Sequence, residues 1–336
     1  MKLKTLMHGV AALAIAGPAI ADVNIYSARH YDSDTVLFDR FEEDTGIAVN
    51  RIEGDSDELI ARMQAEGDNS PADIFLTVDA GRLWRADEAG LLSAVDSNVL
   101  ESRIPEFLRH PDGHWFGLSQ RARIIFYSKE RVENPPQTYE ALADDEYEGQ
   151  ICIRSSSNVY NQSLLASIIE ANGEEAAREW AAGVRENMAR DPQGGDTDQL
   201  LGIVSGECDI AVTNTYYFLR GLVGEVDGLT KGIHNIGWIW PNQSGRGAHT
   251  NIAGAAVTAN APNRDDAIQF LEFLTTDFAQ EHFANQNNEY PAVPGVPLGE
   301  GVAQLGYFTP DNTTPRAAYG SNAPKAQEIF NAVGWP

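Results

Sequence analysis

The stretch VNIYSARHYDSDTVLFDRFEEDTGIAVNRI, residues 23–52, decides the fold class. Val23 to Ser27 reads as a strand, and 33–44 as a helix with Val36, Leu37, Phe38 and Phe41 on its buried side. Gly46 stops that helix, and Ile47 to Ile52 supplies the next strand. Downstream, Asp55-x-x-Glu58 reads as a capping box ahead of Leu59, Ile60 and Met63. A third strand follows at 73–77 and a third helix at 82–89, ended by Gly90. A βαβαβ run of this kind implies a parallel sheet with helices on its faces.

Toward the C-terminus, 115–127 is nearly continuously strand-like, and Pro135-Pro136 then breaks the chain. A second alternating series follows. Strands are expected at 150–154, 209–213, 236–240 and 251–258, and helices at 161–171, 174–188, 197–205, 216–222, 264–275, 277–286 and 323–333. No internal repeat of fixed period stands out.

Upstream, residues 1–21 read MKLKTLMHGVAALAIAGPAIA. Lys2 and Lys4 precede a short apolar run, and Ala19-Ile20-Ala21 closes it, the pattern of a secretory signal peptide cleaved before Asp22. The run from Val10 to Ala16 falls well short of the ~20 residues that span a bilayer. No Cys near the cleavage point offers a lipid anchor. The mature chain is expected in the periplasm, without membrane insertion.

At 336 residues the chain has room for about two domains of ~150 residues each. Its 24 Lys and Arg face 49 Asp and Glu, a net charge of −25. A surface of that sign repels phosphate backbones and anionic lipid heads, so no nucleic-acid partner is expected. Only two cysteines exist, Cys152 and Cys208, both at the starts of expected strands. In an oxidising compartment they either bridge or stay as two small buried hydrophobes, and spacing leaves both open. The 7 histidines are read as giving no zinc-site pattern.

In open α/β sheets, ligands sit beyond the C-terminal ends of strands. After 23–27 comes Ala28-Arg29-His30-Tyr31-Asp32; after 150–154, Ser155-Ser156-Ser157-Asn158-Val159-Tyr160-Asn161; after 209–213, Asn214-Thr215-Tyr216-Tyr217. Four of the 11 tyrosines therefore gather on the expected ligand-facing rim. A phenol titrates near ~10, so a strong Lewis acid is needed to ionise it at neutral pH. Calcium and magnesium prefer carboxylates, and zinc and copper prefer imidazole and thiolate. A trivalent hard cation such as Fe(III) suits phenolates.

Four phenolates around such an ion leave one negative charge over, for which Arg121, Arg123 and Arg220 are candidate partners. Adjacent helical positions point about 100° apart, so Tyr216 and Tyr217 converge only at a first turn, with Asn214 or Thr215 as N-cap. Spacing leaves other readings open: half-buried packing, a sugar-stacking platform, or a hydrogen-bonded lining for a neutral solute. The serines of RSSSN have no G-x-S-x-G context, which gives a hydrolase little support.

Six stretches carry a resemblance: YSARHYDSD (26–34), GDNSPADIFLTVDAGRLWRA (67–86), FGLSQRARIIFYSK (116–129), RSSSNVYNQS (154–163), NTYYFLR (214–220) and PNRDDAIQFLEFL (262–274). They resemble the periplasmic ferric-ion-binding proteins of ABC iron transporters, transferrin-like members of the type II periplasmic binding proteins. The resemblance implies an α/β, two-lobed fold, each lobe a mixed, mostly parallel sheet flanked by helices. A hinge of two crossing strands would lie near 119–125 and 246–254. Behind the signal peptide at 1–21, lobe one would comprise 22–122 and 249–295, and lobe two 123–248 and 296–336.

It further implies an extracytoplasmic solute-binding protein for iron transport. Tyr31, Tyr160, Tyr216 and Tyr217 match the metal ligands of the tyrosine-rich branch, and His30 an extra ligand position. Arg121 and Arg220 match outer charge partners. Val78 stands where the other branch has a ligand glutamate, which favours a mostly phenolate shell completed by water or carbonate. The implied protein is a monomer that catalyses nothing and delivers Fe(III) to an inner-membrane ABC permease and its ATPase. The alternatives are a binding protein of the same fold for a small organic or anionic solute, and a carrier loaded with Fe(II).

Overall fold

The computed structural model describes residues 22–336, so the signal peptide read at 1–21 lies outside the described residues. The strands are β1 (Asp22–Ser27), β2 (Ala48–Glu53), β3 (Ile74–Val78), β4 (Phe116–Ser128), β5 (Ile151–Cys152), β6 (Ile210–Asn214), β7 (Ile236–Ile239), β8 (Thr250–Val257) and β9 (Tyr290–Pro291). They form a path β2-β1-β3-β8-β4-β6-β5, with β7 and β9 also pairing with β4. The fold is mixed α/β in two lobes, and β4 belongs to both. Its first half, to Ala122, pairs with β8, and its second half, from Arg123, pairs with β6 and β7.

The sheet is less parallel than the βαβ alternation implies. β1 runs parallel to β2 and β3, and β5 parallel to β6, whereas every pairing made by β4 or β8 is antiparallel. β4 and β8 run against each other and against every other strand they touch.

Local reading was most reliable where punctuation was strong. The helix Thr35–Thr45 buries Leu37, Phe38 and Phe41 and ends at Gly46, whose φ of 75° suits a residue without a Cβ. Val36, expected inside, is 52% exposed. Asp55 caps Ser56–Glu66 by accepting from the Asp57 N–H at 2.8 Å, the second helical amide and not the third that a capping box requires. β5 covers only two of the five residues expected at 150–154. The carbonyls of Arg154 and Ser155 are taken instead by the Asn161 side chain at 2.6 and 3.3 Å. Helices Asn98–Arg103, Asp227–Gly232 and Glu300–Leu305 escape periodicity because each has only 6 residues.

Three apolar clusters form the interior. One gathers Val23, Ile25, Phe41, Phe75, Phe116 and Phe270 around the β1–β3–β8 sheet. The other two clothe opposite faces of the second half of β4, since successive strand residues point to opposite sides. Ile125 packs with Trp180, Val212 and Phe330, while Ile124 and Phe126 pack with Leu200, Phe218 and Ile236. Cys152 and Cys208 are bridged, with Cα atoms 5.8 Å apart, which resolves the open alternative in favour of the disulfide.

Candidate metal centre

Tyr31 follows β1, Tyr160 opens the helix Val159–Asn172, and Tyr216 and Tyr217 open the helix Thr215–Leu222 directly after β6. The Asn158 side chain caps its helix by accepting from the backbone N–H of Tyr160 itself at 3.2 Å. The cap therefore also sets where that ring leaves the backbone. Asn214 occupies the N-cap position before Tyr216 but makes no capping bond. Its carboxamide oxygen instead accepts from Arg123 at 3.4 Å.

The structure brings the four expected tyrosines together. The Tyr160 and Tyr216 hydroxyls lie 3.3 Å apart, and the Tyr216 and Tyr217 rings have centroids 4.2 Å apart at 32°. Burial and the neighbouring phenols Tyr160, Tyr31 and Tyr217 push the Tyr216 pKa well above the phenol range. Burial and Glu289 push Tyr31 upward, and burial with Tyr160 and Asp196 does the same to Tyr217. Without a cation these phenols keep their protons; with a strongly charged one in their midst, attraction to it outweighs the burial and the mutual repulsion that raised them.

Arg123 ties the two tyrosine-bearing helices to each other. One guanidinium nitrogen donates to Asp196 at 3.0 Å and the other to Asn161, next to Tyr160, at 2.8 Å. Asp196 also accepts from the Asn214 backbone N–H at 3.0 Å, just before the tyrosine pair. Arg123 thus positions the tyrosine-bearing helices and is not a free charge partner.

Arg121 is buried and ion-paired with Glu289 at 3.0 Å, and Tyr216, Tyr160 and Tyr31 all lie within its electrostatic reach. Two expected residues stand apart from the cluster. His30 is exposed and faces Glu53 at 3.7 Å, and Arg220 turns to Glu225 at 2.9 Å. Both lie at solvent-facing positions, where a nearby carboxylate is the cheapest partner.

Sequence reasoning missed Arg29 and Glu289. Arg29 is buried, stacks 4.4 Å over the Tyr31 ring and pairs with Asp34 at 2.7 Å and Glu289 at 3.0 Å. Its position two residues before Tyr31 was a usable signal, because the charge argument already called for arginines as partners of the phenolates. Glu289 had no such signal, as it lies in the loop before the short strand β9.

The expectation of no zinc-type histidine pattern overlooks His110 and His114, four residues apart. Among the described residues they form, with Asp87, a group whose ligand atoms lie within 4.8 Å of one another. The two rings stack at 4.7 Å and 9°, however, and a bound ion lies close to the plane of each imidazole that holds it. One ion cannot lie in two parallel planes. The group instead clamps the hairpin at 110–114 to the helix Ala80–Glu88 through Asp87, at 3.3 and 2.5 Å.

Comparison with known proteins extends this geometry. The profile of the bacterial extracellular solute-binding protein family matches residues 37–310. Iron uptake protein A1 of Synechocystis sp. is 49% identical over 316 residues, covering 94% of this chain and 87% of that protein. The major ferric iron-binding protein of Neisseria meningitidis serogroup B is 28% identical over 291 residues, 85% of each chain. A Trichodesmium structure in complex with iron and citrate ligands superposes with a TM-score of 0.91 at 47% identity, covering 94% of this chain and 100% of that one. The ferric binding protein from Campylobacter jejuni superposes with a TM-score of 0.88 at 41% identity, covering 94% and 100%.

Proposed function

Because the chain belongs to the bacterial extracellular solute-binding protein family, we propose that it captures Fe(III) between its lobes through the phenolates of Tyr31, Tyr160, Tyr216 and Tyr217. The single observation that carries this reading is the convergence of the Tyr160, Tyr216 and Tyr217 rings, with Tyr31 close enough to perturb Tyr216. Phenols that repel one another's ionisation suit a small, highly charged, oxygen-seeking cation. They suit a neutral solute poorly. Water or carbonate would complete the shell, since His30 stands apart from the cluster.

Lobe one would comprise 22–122 and 249–295, and lobe two 123–248 and 296–336, with the short helix Ala318–Ser321 resting on Trp84 of the first. Twisting of β4 at its midpoint would part Tyr31 from the other three tyrosines when the lobes open and bring it back to the arrangement seen here when they close. Closure excludes water, strengthens the attraction between phenolate and iron, and suppresses hydrolysis of the ion. The protein would act in the periplasm as a monomer, catalyse no reaction, and hand its ion to an inner-membrane ABC permease with its ATPase.

The test is a visible absorption spectrum during titration of the iron-free protein with Fe(III). Phenolate-to-iron charge transfer should give an orange-to-red colour that vanishes on reduction and chelation. A protein that stays colourless and binds a small organic or anionic solute instead would overturn the reading.

A further inference from the structure

Resting on that reading, the structure assigns Glu289 the part of a specificity-determining residue: its fixed negative charge makes oxidised iron the preferred cargo. Glu289 is fully buried and accepts from Arg29 and from Arg121, each at 3.0 Å, and from the Ser119 hydroxyl. Burial would raise its pKa, but Arg29 and Arg121 hold it below the usual carboxylate range, so it stays ionised. Arg29 Nη2 and Arg121 Nε and Nη1 are buried with no protein partner. Glu289 therefore fixes both guanidinium groups while leaving donors over beside the phenols.

The charges around the tyrosines can be counted. Arg29 and Arg121 are balanced by Asp34 and Glu289, and Arg123 is balanced by Asp196. His282, 3.8 Å from Asp34, has its pKa lowered, first by burial, and stays neutral at pH 7. Arg154, 5.7 Å from the Tyr160 ring, is left as one positive charge over. Four phenolates around a trivalent ion carry one negative charge, so the assembly, counting the half-buried Arg154, is neutral with Fe(III) and negative with Fe(II). Burying net charge is costly, so the neutral assembly is favoured. Without the Glu289 charge the balance inverts, and the ferrous form becomes the neutral one.

The experiment compares Fe(III) and anaerobic Fe(II) affinities of the wild-type protein with those of Glu289→Gln and Arg154→Gln. Glu289→Gln should lower the Fe(III)-to-Fe(II) affinity ratio by about tenfold or more, equivalent to raising the one-electron potential by about 59 mV. Arg154→Gln should move the ratio the other way by a similar factor. A purely structural role for Glu289 would weaken both ions alike, so ratios within about twofold of wild type overturn the inference. Should Glu289→Gln fail to fold, as judged by thermal unfolding of the iron-free protein, Arg154→Gln decides alone. A wild-type protein that gives no phenolate colour with Fe(III) would instead overturn the reading beneath it.

Discussion

Tyr160 and Tyr216 are separated by 56 residues, yet their hydroxyl oxygens lie 3.3 Å apart. Two hydroxyls at that distance make one weak hydrogen bond, and the other polar neighbour of the buried Tyr216 oxygen is the Tyr217 phenol. The arrangement is therefore poor as packing and good as half of a coordination shell. Polar groups gathered without full partners mark a place where binding can recover what folding left unmade.

Replacing one of these phenols by phenylalanine removes only an oxygen and tests its role as a ligand. Tyr216→Phe and Tyr217→Phe should each lower Fe(III) affinity by more than the about 10–100-fold that loss of an outer partner costs. The charge-transfer band should shift or fade in the same variants. His30→Ala should retain the band, because His30 is no phenolate. Competition with a chelator of known strength, read by absorbance, checks both expectations.

Proton linkage gives a second expectation. Tyr31, Tyr216 and Tyr217 have raised pKa values in the folded, iron-free protein, first because they are buried. The unfolded chain starts to lose these protons near pH ~10 while the native state holds them. Their contribution is thus fully present below that pH, and stability should fall as pH rises above it. Denaturant unfolding from about pH 8 to about pH 11 should show the decline, with a shallower slope in Tyr216→Phe.

Iron should behave oppositely toward acid. Each phenol must lose its proton to bind, so affinity should drop as pH falls, with about one proton taken up per phenolate released. Titration of bound iron at several pH values measures that slope.

Arg123 offers a test of positioning. Arg123→Gln would leave Asp196 buried without its cation, a loss of about 3–5 kcal/mol in comparable buried pairs. Because Asn161 and Asn214 lose the same partner, iron affinity should fall as well, even though Arg123 is no ligand. Calorimetric unfolding and iron titration of one preparation separate the two effects.

The disulfide can be tested from chain length. Its two cysteines lie 56 residues apart, so Cys152→Ser with Cys208→Ser should cost about 4 kcal/mol through the freer unfolded chain. A Cβ on Gly202 would come within 2.7 Å of one bridged sulfur and 3.1 Å of the other. Gly202→Ala should therefore destabilise by about 1–3 kcal/mol, and by less once both sulfurs are gone.

Much of the fold and the gathering of the four tyrosines could be read without coordinates. The stop at Gly46, the strand before each tyrosine and the rule that ligands lie past strand ends all depend on neighbours in the chain, and local periodicity records them. Other assignments needed the folded chain. Arg121 and Glu289 are 168 residues apart, Arg29 and Glu289 260, and no local pattern encodes such a meeting. Arg220, three residues from Tyr217, found Glu225, whereas Arg123, in a strand, became the tie between two helices. Short-range forces give the types and edges of elements, so residue order was enough to identify those. Which charges share a buried space depends on how distant segments pack, and there a low dielectric lets one carboxylate outweigh any sequence preference.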